Sequence, residues 1–268
     1  MNRISRAFKQ LRSKNKSAFI AFLTAGYPDL VTTEKLVLEF ERCGVDIIEL
    51  GIPFSDPMAD GPVIQESSQE ALKHNIRLID VLAMVKRIRR HSDIPLLFMT
   101  YYNPIFCMGE DKFVREAAKA GLDGIIIPDL PLEEGSSLSR AARKAGIDNI
   151  LFVAPTTQQI RLKSIAKAAA GFIYYISLAG VTGERKALPS DIATHVRKIK
   201  KISGTPVCVG FGVSSAAQVR QIQSVADGVI VGSAIIRKIK ECKGEPRLVD
   251  KVGAYVTTLM GKNEKKPL

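Results

Sequence analysis

Two carboxylates near the end of a short apolar segment are the residues of this chain best suited to chemistry. Residues 46–51 have the β-branched, apolar character of an interior parallel strand, yet Glu49 lies among them. Burying a carboxylate without a partner is costly, so Glu49 needs either a partner or a function. The loop that follows is stiffened by prolines and carries Asp60. Rigid carboxylates at the mouth of a strand are suited to acid–base catalysis on a small substrate.

A purely structural interpretation of the same two residues stays open at this point. In that alternative, Glu49 forms an ion pair inside the fold and Asp60 caps the helix that follows. Perturbed carboxylates occur in structural ion pairs as well as in active sites, and spacing alone does not separate the two.

Glycine-containing segments in the last third of the chain predict a site for a phosphorylated ligand. Glycine lets backbone N–H groups approach an anion closely, and a helix N-terminus favours negative charge. The residues concerned are Gly180 and Gly183, then Gly210 and Gly212, then Gly232 with Ser233. A nucleoside triphosphate is disfavoured because the chain has no G-x-x-x-x-G-K-[ST] loop. Beside this site, residues 177–189 form a long connection, which we interpret as a closing lid rather than an ordinary surface loop.

The elements that must position these residues alternate regularly along the chain. Short apolar runs occupy residues 18–23, 46–50, 95–99, 124–127, 149–153, 172–176, 206–209 and 228–231. Helical patterns occupy residues 31–43, 64–90, 111–120, 133–145, 158–169, 189–202, 214–223, 234–242 and 247–260. Eight strand–helix units of this length predict a single (β/α)8 barrel, in which loops after the carboxyl ends of the strands carry the chemistry. We expect one domain over residues 1–268, with an extra N-terminal helix at 1–14 and a frayed tail at 261–268.

Composition narrows the class of protein. The chain has 268 residues, no long apolar run of the kind that spans a membrane, and four widely spaced cysteines that suggest neither disulfides nor zinc. We therefore expect a cytoplasmic protein without a bound metal. The net charge of +12 raises the question of nucleic acid, but the basic residues interleave with apolar ones as on solvated helix faces.

Two other classes of function fit parts of the sequence. One is a barrel enzyme that forms a Schiff base, which needs a lysine at an inward strand position, and the predicted strands have none in their interiors. The other is a regulatory chain or a basic nucleic-acid binder, which would not need Glu49, Asp60 and a phosphate site together.

Several motifs in fixed order resemble one family over nearly the whole chain. They are Glu49 with Leu-Gly-Ile-Pro-Phe-Ser-Asp-Pro-Met-Ala-Asp-Gly-Pro at 50–62, Phe-Leu-Thr-Ala-Gly-Tyr-Pro at 22–28, Tyr-Tyr-Asn-Pro at 101–104, Pro-Asp-Leu-Pro at 128–131, Ala-Gly-Val-Thr-Gly at 179–183, Gly-Phe-Gly at 210–212 and Gly-Ser-Ala at 232–234. In these motifs and in their order, the chain is similar to the tryptophan synthase α subunit. The resemblance implies retro-aldol cleavage of indole-3-glycerol phosphate to indole and glyceraldehyde 3-phosphate.

The resemblance also implies a role for each matching residue. Glu49 would protonate carbon 3 of the indole and help to remove the glycerol hydroxyl proton, and Asp60 would accept the indole N–H. Tyr174 would line the site near Glu49, although the residues alone favour a packed strand tyrosine, and Thr182 would contact the aspartate from the closed lid. The implied phosphate contacts are Gly183, Gly212, Gly232 and Ser233, and the implied walls of the indole pocket are Phe22, Tyr101, Ile127 and Phe211.

The resemblance further implies a partner. The family's β subunit is a pyridoxal-phosphate enzyme that joins indole to serine, and an α2β2 tetramer is expected. The α chain would dock through its active-site rim, near Pro53, Asp56, Asn103 and Pro131, and would itself bind no cofactor or metal. Leu178 departs from members of the family that carry arginine after the lid serine, which concerns lid closure and not the acid pair.

Overall fold

Eight parallel strands close into a barrel, as the alternating pattern predicts. The computed structural model describes residues 2–176, 191–210 and 212–262. Each strand pairs with the next along the chain, and the last pairs with the first. The strands are β1 (Ala18–Thr24), β2 (Ile47–Gly51), β3 (Leu96–Met99), β4 (Gly124–Ile126), β5 (Asp148–Val153), β6 (Ile173–Ile176), β7 (Val207–Gly210) and β8 (Gly228–Val231).

Twelve helices lie in the described part of the chain, most of them around the barrel. They are α1 (Arg3–Ser13), α2 (Leu30–Cys43), α3 (Pro62–Leu72), α4 (Leu78–Ile88), α5 (Tyr102–Met108), α6 (Glu110–Ala120), α7 (Ser136–Lys144), α8 (Gln159–Ala168), α9 (Ile192–Ile202), α10 (Ala216–Gln223), α11 (Ser233–Glu241) and α12 (Leu248–Leu259). None of the described helices is long and apolar enough to cross a membrane.

Alternation along each strand divides the apolar residues into two layers. Along β2, Ile47 belongs to the cluster that fills the barrel, whereas Ile48 and Leu50 pack between the barrel and its helices. Successive side chains of a strand point to opposite faces, so Glu49 shares the inward face with Ile47. The Glu49 carboxylate therefore points into the barrel interior near the carboxyl end of β2, and not toward the surrounding helices.

The N-terminal helix closes the amino end of the barrel. Ile4 and Phe8 of α1 are buried in the interior cluster, and the Phe8 and Phe172 rings lie 6.0 Å apart. The Asn2 side chain caps the helix by accepting a hydrogen bond from the Ser5 N–H at 3.0 Å. With this end filled, the carboxyl ends of the strands are left for the site.

Two helical regions differ from the sequence prediction. The pattern over 64–90 forms two helices, α3 and α4, which are separated near Asn75 at a positive φ of 53°. The short helix α5 was not predicted, and it follows β3 within the Tyr-Tyr-Asn-Pro segment. Gly44, Gly121 and Gly146 follow α2, α6 and α7 at positive φ, the left-handed conformation that is common where helices end.

Candidate active site

A cavity of about 450 Å³ lies at the carboxyl ends of the strands. Its walls combine strand-end side chains from several parts of the barrel with loop residues that follow β2, β7 and β8. Seven of the predicted site residues line it together: Phe22, Glu49, Asp60, Tyr174, Gly212, Gly232 and Ser233. The sequence-predicted acids and the described part of the predicted phosphate site thus share one cavity.

Glu49 is held in an apolar setting near the floor of this cavity. On β2 it is paired in register with Phe22 of β1 and Leu97 of β3, and only 1% of it is exposed. Neither carboxyl oxygen has a hydrogen-bond partner among the described residues. Burial, with a smaller contribution from the charge of Asp60, raises the pKa of Glu49 to about 8. Glu49 therefore keeps its proton at neutral pH, and within the described chain the ion-pair alternative has no support.

Asp60 lies in the loop between β2 and α3, partly exposed to the cavity. The Tyr101 hydroxyl donates a hydrogen bond to its Oδ2 at 3.0 Å. Burial raises the pKa of Asp60 to about 6, and the hydrogen bond from Tyr101 opposes that rise. The next helix has Gly61 as its N-cap, with no side-chain capping bond. Asp60 is therefore not a helix cap, and at neutral pH it is mostly ionised.

The Asp60 loop is held in place from both sides. The Tyr101 hydroxyl accepts a hydrogen bond from the Ala59 N–H at 2.9 Å, and its ring stacks on Phe54 with centroids 5.2 Å apart. The Gln65 side chain donates to the Asp60 carbonyl at 2.9 Å. Tyr101 was predicted to be a wall of the indole pocket; it is not among the described residues that line the cavity, and its hydroxyl contacts the Asp60 carboxylate. The sequence carries no signal for this pairing, since the two residues are distant along the chain.

Two aromatic rings reach the cavity because the opposing strand positions are glycine. A Cβ at Gly51 would lie 2.5 Å from the Phe22 ring, and a Cβ at Gly210 would lie 2.5 Å from the Tyr174 hydroxyl. Burial and the nearby carboxylates Glu49 and Asp60 raise the pKa of Tyr174 well above its usual range, so the hydroxyl stays neutral. Gly210, which was predicted to belong to the phosphate site, makes room for Tyr174.

Another part of the cavity wall is formed by backbone and by the start of α11. Gly212 has a φ of 68°, a conformation that favours glycine, and Gly232 directly precedes the helix. Ser233 is the first helical residue, where N–H groups lack partners within the helix. Arg237, one turn further along α11, also lines the cavity and was not singled out from the sequence.

Comparison with known proteins shows the family to which the chain belongs. A sequence model of the family described as Tryptophan synthase alpha chain matches residues 8–263. The chain belongs to this family. It is 46% identical to the tryptophan synthase alpha chain of Geotalea daltonii, with 97% of this chain and 98% of the relative covered. A crystal structure of tryptophan synthase subunit alpha from Legionella pneumophila str. Paris is similar with a TM-score of 0.90, 38% identity and 97% coverage of both chains.

A second similar structure is a tryptophan synthase complex from Pyrococcus furiosus, with a TM-score of 0.85 and 39% identity over 92% of this chain and 99% of that chain. Membership of the tryptophan synthase alpha chain family makes this chain a lyase of tryptophan biosynthesis. The reaction of the family is the cleavage of indole-3-glycerol phosphate to indole and glyceraldehyde 3-phosphate, and it needs no cofactor.

Other predicted site residues of this alpha chain either lie elsewhere or fall outside the described part. Ile127 packs in the layer between barrel and helices, and its neighbour Pro128 lines the cavity instead. The reason is strand alternation, since Ile126 points inward and the next residue points outward. Thr182, Gly183, Phe211, the predicted lid at 177–189 and Leu178 lie outside the described residues.

The contact between Tyr101 and Asp60 leads to a pH-dependent prediction for this alpha chain. In Tyr101→Phe the Asp60 carboxylate loses a donor that favours its ionised form, so its pKa should rise. The acid limb of the kcat/KM profile for indole release should move to higher pH, with kcat at pH 8 within roughly threefold of wild type. Tyr102→Phe is the control, because the Tyr102 hydroxyl donates to Glu110 and not to Asp60. An unchanged acid limb in Tyr101→Phe would mean that the tyrosine does not influence the titrating group.

Proposed function

We propose that Glu49 and Asp60 together cleave indole-3-glycerol phosphate in this cavity, with Glu49 as proton donor and acceptor and Asp60 as the stabilising carboxylate. The observation that carries this assignment is that both carboxyls line one cavity and have pKa values near 8 and 6. Two carboxyls whose environments separate their protonation states are the usual basis of an acid–base pair.

The reaction starts with a proton transfer to the ring. Protonated Glu49 delivers its proton to carbon 3 of the indole, which becomes tetrahedral and leaves positive charge on the ring. Ionised Asp60 accepts a hydrogen bond from the indole N–H and stabilises that charge. A carboxylate already held in position is most effective at this because it does not have to reorganise during the reaction. The apolar surroundings of Glu49 suit a neutral acid before the transfer.

In the next step the carbon–carbon bond breaks and Glu49 regains a proton. Glu49, now a carboxylate, removes the proton from the hydroxyl on the carbon attached to the ring. That carbon becomes the aldehyde of glyceraldehyde 3-phosphate, the carbon–carbon bond breaks, and its electrons return to the ring to give neutral indole. Glu49 ends protonated, as it began, and no water or cofactor is consumed.

The remaining walls suit the two ends of the substrate. The volume of about 450 Å³ falls within the range for sites that enclose a small molecule. Phe22 and Tyr174 offer aromatic surface for the indole, while Gly212, Gly232 and Ser233 offer backbone N–H groups and a helix N-terminus for the phosphate. We include Thr182, Gly183 and Phe211 in the proposed site through the family resemblance alone.

A Schiff-base mechanism is disfavoured by the composition of the described site. None of the strands β1 to β8 contains a lysine, and no described residue that lines the cavity is a lysine. A Schiff-base enzyme needs such an amine within reach of the carbonyl carbon. The retro-aldol step here must therefore rely on protonation of the ring.

We further propose that the rim of the barrel binds a β subunit that carries pyridoxal phosphate, as an α2β2 assembly in the cytoplasm. The similar Pyrococcus furiosus structure is a complex, and the rim of this chain exposes Met58 by 83% and Phe106 by 66%. Both residues follow carboxyl ends of strands: Met58 is two residues after the expected contact Asp56, and Phe106 is on α5 with the expected contact Asn103. Large exposed apolar side chains around a cavity mouth are typical of interaction surfaces.

The decisive experiment is an assay of the purified chain with indole-3-glycerol phosphate, following indole release with and without a tryptophan synthase β chain. We expect release by the chain alone and turnover increased by at least about tenfold with the β chain, because docking orders the rim loops that complete the site. Absence of indole in both conditions would reject the proposed reaction. Equal rates under conditions where the complex demonstrably forms would reject the coupling to a β subunit.

A further inference from the structure

Arg237 is the only cationic side chain among the described residues that line the cavity. It lies on α11, four residues after Ser233, and is half-buried. Side chains four residues apart share one face of a helix, and long side chains lean toward its N-terminus. The guanidinium is therefore carried toward the turn that begins with Ser233.

The charges of the cavity leave a role for a cation at this position. The other described ionisable groups in the lining are Glu49, Asp60 and Tyr174, of which Asp60 is mostly ionised at neutral pH. A phosphate monoester brings up to two further negative charges into the same cavity. The N-terminus of a helix supplies only roughly half a positive charge. A guanidinium at the same helix end supplies a full charge and a fork of donors that matches phosphate oxygens.

Two neighbouring lysines of α11 form ion pairs outside the cavity. Lys238 pairs with Glu241 at 3.0 Å, and Lys240 pairs with Glu66 of α3 at 2.6 Å. Neither of these lysines lines the cavity. The basic pattern of α11 therefore combines outward lysines, which form surface ion pairs, with one arginine turned to the site.

We infer that Arg237 binds the phosphate of the substrate and makes the site selective for phosphorylated over unphosphorylated indole-glycerol compounds. The inference rests on the proposed function, because it takes Gly212, Gly232 and Ser233 as the phosphate end of the cavity. Arg237 is a substrate-binding residue in this proposal, remote from the bond that breaks, so its contribution should appear in KM and not in kcat.

The test compares Arg237→Met and Arg237→Lys with the control Lys238→Met, which removes a charge from the same helix outside the cavity. Arg237→Met should raise KM for indole-3-glycerol phosphate by about 10- to 100-fold, the effect of losing a hydrogen bond between charged groups. Its kcat should stay within about threefold of wild type. Arg237→Lys should recover most of the loss because it keeps the charge, and Lys238→Met should leave both constants unchanged.

Binding of an unreactive pair of ligands, 3-(indol-3-yl)propyl phosphate and the corresponding free alcohol, makes the test independent of turnover. Titration calorimetry should show that Arg237→Met loses affinity for the phosphate ester only. Equal loss for both ligands would show a structural effect, and no loss for either would show that the side chain does not contact phosphate. Either result would overturn the inference. Failure of the wild-type chain to release indole would instead reject the proposed function, while the difference between the two ligands would still report on Arg237.

Discussion

Glu49→Gln is expected to reduce indole release by about 1,000-fold or more, since general acid–base catalysis typically contributes 10²- to 10⁴-fold and this residue has both duties. The amide is nearly the same size and can occupy the same place on β2, but it cannot deliver a proton to carbon 3. Affinity for the unreactive 3-(indol-3-yl)propyl phosphate should stay within about tenfold of wild type, because the ring walls and the phosphate end are unchanged. Steady-state kinetics and calorimetry of the same preparations provide both measurements.

The same substitution should stabilise the folded chain at alkaline pH. Below the ordinary pKa of 4.5 Glu49 is protonated in both states and imposes no electrostatic cost, whereas toward pH 8 the folded state retains a proton that the unfolded state has lost. The free energy of unfolding of the wild type therefore falls as pH rises through this window, whereas a glutamine at this position makes no such pH-dependent contribution. The free energy of unfolding of Glu49→Gln relative to wild type should rise between pH 5 and pH 8 by on the order of 3 kcal/mol. Urea unfolding at both pH values measures the difference.

Asp148→Asn is the matched control for the loss of indole release in Glu49→Gln. Asp148 begins β5 at the amino end of the barrel, and its Oδ2 is also buried without a hydrogen-bond partner among the described residues. Burial raises its pKa as well, but it does not line the cavity. The control should keep indole release within about threefold of wild type. Normal turnover by Glu49→Gln would remove Glu49 from its assigned role, and an equal loss in the control would attribute the defect to the barrel in general.

The barrel and its two acids could be predicted from sequence because each has a local signal. Interior strands appear as short apolar runs, and Glu49 stands out as the one acid inside such a run. Asp60 follows within the same rigid loop. The features that were not predicted depend on contacts between distant segments. One is the hydrogen bond from Tyr101 to Asp60, and another is the space that Gly51 and Gly210 leave for two aromatic side chains. No pattern within one segment reports such pairs.

Three other differences arise because a pattern within one segment does not show what that segment packs against. The apolar period over 64–90 continues through the break at Asn75, because both helices pack the same kind of face on the barrel. Ile127 continues the apolar run of β4, yet strict alternation turns it to the outer layer. Arg237 was read among basic residues on a solvated helix face, and only the position of α11 beside the cavity distinguishes it from Lys238.

Asp60→Asn should lower kcat for indole release by about 100- to 1,000-fold, the range for removing one preorganised electrostatic partner of a transition state. The neutral amide can still meet the indole N–H through its oxygen, so binding of 3-(indol-3-yl)propyl phosphate should change by less than about tenfold. It cannot offset the positive charge that develops when carbon 3 is protonated. The acid limb of the wild-type kcat/KM profile, which we assign to the Asp60 pKa near 6, should disappear from the residual activity.

Asp56→Asn, measured in the chain without a β subunit, is the control for Asp60→Asn because it changes an acid in the same loop. Asp56 is exposed, accepts a hydrogen bond from Ser55 at 2.6 Å and does not line the cavity. Its kcat should stay within about threefold of wild type, with the acid limb in place. If Asp60→Asn kept the acid limb near pH 6, another group would be responsible for that titration. If it kept normal kcat, the charge on the indole ring would have to be stabilised without this carboxylate, and the pairing of the two acids would no longer account for the reaction.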